Sequence, residues 1–187
     1  MRLRRQTPNH TGSLLVALPT LLDPNFRRTI LFLSHHNPAE GCVGFILNRP
    51  RGVLLGDLAS TPGEGERIPV YEGGPVERKG LIVARIHWHE ERARFQSQGE
   101  EDLSSPSDNN AADHEELRAF TGYAGWSGGQ LERELEEKSW IILPPTADLL
   151  LPVESSEEGT ARWQGVMKDL GPEFHLMAQT PDNPELN

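Results

Sequence analysis

The chain is poor in cysteine, in uninterrupted apolar sequence and in positive charge, and each shortage removes a class of protein. A single cysteine among 187 residues excludes an intrachain disulfide and fits a reducing compartment. That residue, Cys42, lies in the apolar run CVGFIL and reads as a packed small side chain, not a reactive thiol. No stretch approaches the roughly 18 consecutive apolar residues that a membrane-spanning helix needs. The 18 Lys and Arg against 28 Asp and Glu leave a formal charge of −10, which repels a phosphate backbone and disfavours direct nucleic-acid binding. The basic residues form no stripe beyond Arg2, Arg4 and Arg5. Followed by the apolar run 14–22, those arginines imitate a signal peptide, yet Pro19 interrupts the run, no small-residue cleavage site follows, and Asp23-Pro24 reads as a strand-ending turn. The expected location is cytoplasmic, without membrane association.

What is present suits one domain with a buried core. Residues 13–18, 29–34 and 42–47 are strand-length apolar runs, the last two forming a hairpin across HHNPAEG, whose Asn37, Pro38 and Gly41 are turn formers. Asn48, Arg49 and Pro50 close it, because Pro50 lacks the donor for a further ladder bond. Residues 54–59 make one helical turn, 61–67 a surface loop, and 69–72 a brief strand entering Gly73, Gly74 and Pro75. Residues 81–89 are the longest strand, with Ile82, Ala84, Ile86 and Trp88 on one face. Residues 93–116, rich in acids, serines and asparagines, read as a polar mobile loop, and 117–121 resume order. A helix LERELEEK follows Ser127, then a strand at 140–143, a turn capped by Thr146, a helix at 161–170 stopped by Gly171-Pro172, a last strand at 174–177 and a polar tail at 180–187.

Chemistry is concentrated in residues 122–132, GYAGWSGGQLE, where four glycines and two aromatics precede the helix. Gly125 to Gly129 spell GxSxG, the string of a nucleophile turn, and Asp148 or Asp169 with His175 would complete a serine triad in hydrolase order. Against this, Ser127 and Gln130 match a capping box, which explains both without catalysis, and no oxyanion loop of the HGGG type precedes them. His87 and His89 share one strand face, with Glu90, Glu91 or His35 as candidate third metal ligands, but no second motif has ligand spacing and no metal is expected. His35 and His36 point in opposite directions on a strand, one of them packed near the turn. The clusters Gly73-Gly74 and Gly125, Gly128, Gly129 offer backbone amides to an anion, although tight turns explain them equally.

The segments GSLLVALPTLLDPNFRRTILFLSHH (12–36), GCVGFILNRP (41–50), YEGGPV (71–76) and GYAGWSGGQLEREL (122–135) together resemble the AlgH/YqgE-like family of bacterial proteins. The resemblance implies a single-domain α+β fold with a bifurcated, partly barrel-like mixed sheet surrounded by helices. It implies no known reaction. Members are labelled regulators of transcription through an association with alginate production, and with this chain's acidity that points to an indirect, non-enzymatic regulatory role. The alternative is a small serine hydrolase with Ser127 as nucleophile and His175 as base. Asp23, Pro24, His36, Asn48, Arg49, Gly73, Gly74, Pro75, Tyr123, Trp126, Gln130 and Glu132 match the family's recurring positions. A ligand- or partner-binding surface is expected where His36, Asn48, Arg49, Gly73, Gly74, Tyr123, Trp126 and Gln130 converge, with no catalytic residue and no cofactor, for an unidentified protein or small ligand. The chain departs from the family pattern at His35, where relatives carry an acid, at Ser127, where they carry glycine, and in the loop 93–116.

Overall fold

Strands that are apolar on both faces must be covered on both faces, and the first third of the chain supplies such strands. The computed structural model describes residues 8–58, 67–90, 92–98 and 114–179. Among these the chain forms β1 (Leu14–Ala17), β2 (Ile30–Asn37), β3 (Gly41–Ile46), β4 (Pro50–Leu54), α1 (Leu55–Leu58), β5 (Pro69–Glu72) and β6 (Val76–His89). It continues through β7 (Arg92–Gln98), β8 (His114–Ser127), α2 (Gln130–Glu136), β9 (Trp140–Leu143), α3 (Ala147–Leu150), α4 (Ser156–Leu170) and α5 (Pro172–Ala178). Every residue of β1 and the first four of β2 are buried.

The strands form one open mixed sheet in the order β4-β5-β8-β3-β2-β1-β9, from which β6 and β7 branch at β8. All pairings are antiparallel except β5 with β8. Alternation along β1 and β2 sends Leu14, Val16, Ile30 and Phe32 to the main core, where Trp163 and Met167 of α4, Leu150 of α3 and Ala178 of α5 cover them. Leu15, Ala17, Leu31 and Leu33 face the other way, under Leu131 of α2 with Trp126 and Trp140. A third cluster joins Ile68, Val70 and Ala119 to Leu55 of α1.

The bifurcation is a backbone crossing. Ala119, Phe120 and Thr121 pair with β5 and also with β6, so those two strands flank β8 on opposite edges. The link between them, Gly73-Gly74-Pro75, must therefore pass over β8. A Cβ on Gly74 would overlap the Tyr123 carbonyl, and one on Gly122 would stand 2.5 Å from the Gly74 oxygen and 2.6 Å from that of Val76. Gly122 also holds φ at 72°, in the left-handed region.

Four expectations change. Pro50 opens a new edge strand, β4, paired with Tyr71, a place where a missing donor is harmless. The stretch 93–116 is strand at both ends, since Arg92–Gln98 pairs with β6 and β8 begins at His114, while 99–113 lie outside the described residues. Its inward anchor is Phe95, stacked on Phe45 at 4.3 Å between ring centroids. Residues 174–177 belong to helix α5, which has Pro172 in its first turn and Phe174 and Ala178 one turn apart in the core. Helix α4 starts at Ser156, capped by the Ser155 hydroxyl accepting from the Glu158 amide at 3.1 Å. The expected loop 61–67, apart from Arg67, and the tail 180–187 lie outside the described residues. No helix among the described residues is long and apolar enough to cross a membrane.

The crossing and the open α4 surface make opposite predictions for adding one methyl group. Gly122→Ala should lower the unfolding free energy by at least about 2 kcal/mol. Gly165→Ala, which meets nothing within 4 Å in α4, should raise it by about 0.5–1 kcal/mol. Urea denaturation of the two variants measures both, and equal effects would refute a tight crossing.

Candidate functional site

Asn48 and Arg49 turn the chain from β3 into β4, and both side chains are clamps. Buried Asn48 accepts from the Ile30 amide (2.8 Å) and donates to the carbonyls of Arg28 (2.9 Å) and Gly159 (3.0 Å). It thereby joins β2, the turn before it and the first turn of α4. Gly159 allows that approach, because a Cβ there would overlap the Asn48 carbonyl. Arg49 donates to the carbonyls of Asn25 (2.8 Å), Arg27 (3.1 Å) and Pro24 (3.2 Å). Asp23 shapes the same turn by accepting from the Asn25 amide at 2.7 Å. Glu72 lies 3.8 Å from Arg49 and 3.3 Å from Arg78. Burial is the main force pushing the Arg49 guanidinium below its ordinary value; Glu72 opposes it, and Arg27 and Arg78 add to it.

Between these fastened segments lies a cavity of about 260 Å³. Arg27, Arg28, Arg49 and Arg51 line it with Ser156 and Thr160 of α4, and Glu72 is the one carboxylate among its described lining residues. Arg28 holds φ at 58° and lies 5.7 Å from the Trp163 ring centroid. A non-glycine residue in that left-handed region costs about 1 kcal/mol or more.

The glycine-rich turn is closed by a different network. Ser127 ends β8, and α2 begins at Gln130 with Gly129 at its N-cap, φ 72°, so Ser127 is not the helix cap expected of it. Half of the capping box survives: Gln130 Oε1 accepts from the Ser127 amide (3.0 Å) and hydroxyl (3.2 Å). Gln130 Nε2 donates to Glu134 Oε1 (2.9 Å), and Glu134 Oε2 accepts from the indoles of Trp126 (2.9 Å) and Trp140 (2.7 Å). Glu134 is thus the hub that the sequence reading missed; its spacing of four from Gln130 was the available signal. Trp126 is core, only 6% exposed.

His36, cross-strand from Cys42, is the packed member of its pair, while His35 is exposed. Its Nδ1 accepts from the His10 amide (3.1 Å), so the ring proton sits on Nε2, which donates to Glu132 (3.1 Å). The His36 amide donates to the Thr11 hydroxyl at 2.9 Å. Burial, with His36 beside it, holds the His10 imidazole below its ordinary value, and Glu132 opposes this. Burial and then the Glu132 charge push the Cys42 thiol up to about 11, partly offset by a hydrogen bond with the Asn37 backbone.

The eight expected positions fall into three neighbourhoods. His36, Trp126 and Gln130 surround α2; Asn48 and Arg49 border the arginine-lined cavity; Gly73 and Gly74 lie in the crossing with half-buried Tyr123. The Gly73 amide donates to Thr121 (2.9 Å) and its carbonyl accepts from Ile46 (3.0 Å), so neither is turned to an anion. Ser127 and His175 are also apart: α2 packs by Leu131 on one side of the sheet, and α5 by Phe174 and Ala178 on the other. His175 Nε2 meets Gln179 at 2.9 Å. Asp148 and Asp169 line a separate groove of about 620 Å³ along α3 and α4. His87 faces Glu115 at 3.6 Å, Glu91 lies outside the described residues, and no three His, Cys, Asp or Glu residues are grouped for a metal among the described ones.

The fold defines a single-domain α+β protein built on an open, branched mixed sheet with helices on both faces. The chain belongs to the AlgH-like family, whose profile matches residues 14–175. A UPF0301 protein of Thermobifida fusca is 34% identical, and one of Streptomyces coelicolor 36%, each over 95% of both chains. The solution structure of the AlgH protein from Pseudomonas aeruginosa superposes with a TM-score of 0.63 at 25% identity, covering 96% of this chain and 98% of that one. A Corynebacterium diphtheriae protein shares the fold at 18% identity, with a TM-score of 0.61 over 95% of both chains.

Two outcomes follow from the α2 face. Glu134→Ala orphans two indole donors and should destabilise the protein by about 2–3 kcal/mol, with a change in tryptophan emission; an unchanged denaturation midpoint would show that the hub is dispensable. For Cys42, a folded-state value above the ordinary thiol range means that its contribution to stability is complete below that range and is lost as pH rises towards about 11. A thiol-reactive dye at pH 8 should therefore label the native protein only at the rate of its unfolding, and rapid stoichiometric labelling would contradict the burial.

Proposed function

We propose that the protein is a non-enzymatic binding protein with a regulatory role, and that it receives its ligand in the cavity beside Asn48 and Arg49. The observation that carries this is the gathering of four arginines around one cavity of a chain whose formal charge is −10. Two further features favour binding over nucleophilic catalysis. The Ser127 hydroxyl donates to Gln130, and the Cys42 thiol is buried and held protonated. On this reading the protein is cytoplasmic and acts on gene expression indirectly, through the ligand it holds or a protein partner, without touching nucleic acid or membrane.

Calorimetric titration with sulfate, citrate and pyrophosphate at constant ionic strength tests the cavity. At least one should give a saturable heat that Arg27→Ala and Arg51→Ala reduce; silence from all three would remove the cavity as the binding site. Fluorophosphonate labelling tests the absence of catalysis, with no Ser127-dependent labelling expected. Labelling that disappears in a folded Ser127→Ala variant would replace the binding protein by a serine hydrolase.

A further inference from the structure

We infer that the arginine-lined cavity takes the phosphate group of a small phosphorylated metabolite; this rests on the binding reading above and names its ligand class. Arg27, Arg28, Arg49 and Arg51 approach from two segments, and Ser156 and Thr160 of α4 close a third side. Guanidinium forks match phosphate oxygens in geometry as well as charge. Arg49 spends its fork on the carbonyls of the wall, so it shapes the cavity, and the side chains that line it from three segments suit a tetrahedral dianion better than a planar carboxylate, which one fork saturates.

Helix α4 adds an independent donor set. Its cap, Ser155, takes the Glu158 amide with its hydroxyl and the Gly159 amide with its carbonyl. The amides of Ser156 and Glu157 precede the first intrahelical bond and are open for an anion, at the positive end of a 15-residue helix. Two of the nearby acids are engaged: Glu72 sits between Arg49 and Arg78, and Glu158 is turned to Arg162 (3.3 Å) and the Glu154 amide (2.8 Å), while Glu157 adds a carboxylate to the same turn. Asn48 holds both walls, since its amide binds the carbonyls of Arg28 and Gly159. The strained Arg28 backbone is fixed by the same bond, which is the kind of over-determined outlier that marks a preorganised site. At about 260 Å³ the cavity falls below the roughly 300 Å³ of the smallest drug-sized sites. It accommodates a phosphate and a few attached atoms, not a polymer.

Isothermal titration of the full chain with inorganic phosphate, pyrophosphate, citrate and a short single-stranded DNA decides the assignment. Pyrophosphate should bind at least about tenfold more tightly than citrate, and Arg27→Ala and Arg51→Ala should each weaken it about tenfold, the worth of one charged hydrogen bond. Ser156→Pro removes one open amide at a position where proline suits a helix and should weaken pyrophosphate severalfold with the melting temperature unchanged. Ser156→Ala, which keeps that amide and loses only the hydroxyl, should weaken pyrophosphate less than Ser156→Pro does. Citrate equal to or tighter than pyrophosphate would overturn the phosphate assignment and leave the binding protein standing. DNA binding more tightly than pyrophosphate would overturn it in favour of a nucleic-acid site. Pyrophosphate affinity indifferent to all of these substitutions would overturn it as well, and silence from every probe would overturn the binding reading with it.

Discussion

The passage of Gly73-Gly74 over Gly122 is the contact on which the rest of the molecule depends. It lets one strand, β8, serve β5, β6 and β3 at once, which is why the sheet branches. Backbone meets backbone there, so no side-chain substitution elsewhere can make room. The two glycine clusters that stand out in the sequence, about 50 residues apart, are two halves of this one contact. The branch in turn aims the end of β8 at α2 and the end of β5 at the segment before β4.

Those clamps are few and heavily used. Asn48 makes three hydrogen bonds, Arg49 reaches three carbonyls, and Glu134 accepts from Trp126, Trp140 and Gln130. Glu134 gathers partners within eight residues and locks the turn around α2, whereas Asn48 and Arg49 tie segments from 18 to 111 residues apart and act as long-range constraints. Tyr71 behaves alike, its hydroxyl both donating to and accepting from Val153 (2.9 and 3.1 Å). Arg118 is the exception. Fully buried over the Tyr71 ring and donating to Leu150, it leaves Nε and Nη1 without a partner. A buried cation so placed adds little net stability, because its desolvation offsets what it gains.

Much of the fold was legible from periodicity and turn chemistry. The β2-β3 hairpin, β5 and β9 stand where apolar runs and glycine or proline stops put them. What failed were short elements with mixed signals: α5, whose apolar residues fit either period, and β7, whose alternation lies in a polar context with Phe95 as its single large anchor. The candidate site was legible residue by residue and illegible as a whole. His36, Asn48 and Trp126 are each held by hydrogen bonds, but in separate networks. Long-range register, not local sequence, decides which of them share a face, and so Arg27, Arg28, Arg51 and Ser156 went unnoticed beside Asn48. Their signal was only a repeated arginine on both sides of one hairpin.

Net charge was the sequence feature most easily over-read. Charges farther than about 8 Å are largely screened at physiological ionic strength, so a cavity responds to its own lining and hardly to the sum over the chain. Here the described lining residues include four arginines against one carboxylate, the reverse of the whole. The two scales act on different ligands. A polyanion spans many screening lengths and meets the acidic surface along with the cavity, whereas a small anion fits inside the arginine-lined space and meets little else. Acidity outside and positive charge inside therefore do not conflict: together they select by size among ligands that share one phosphate chemistry.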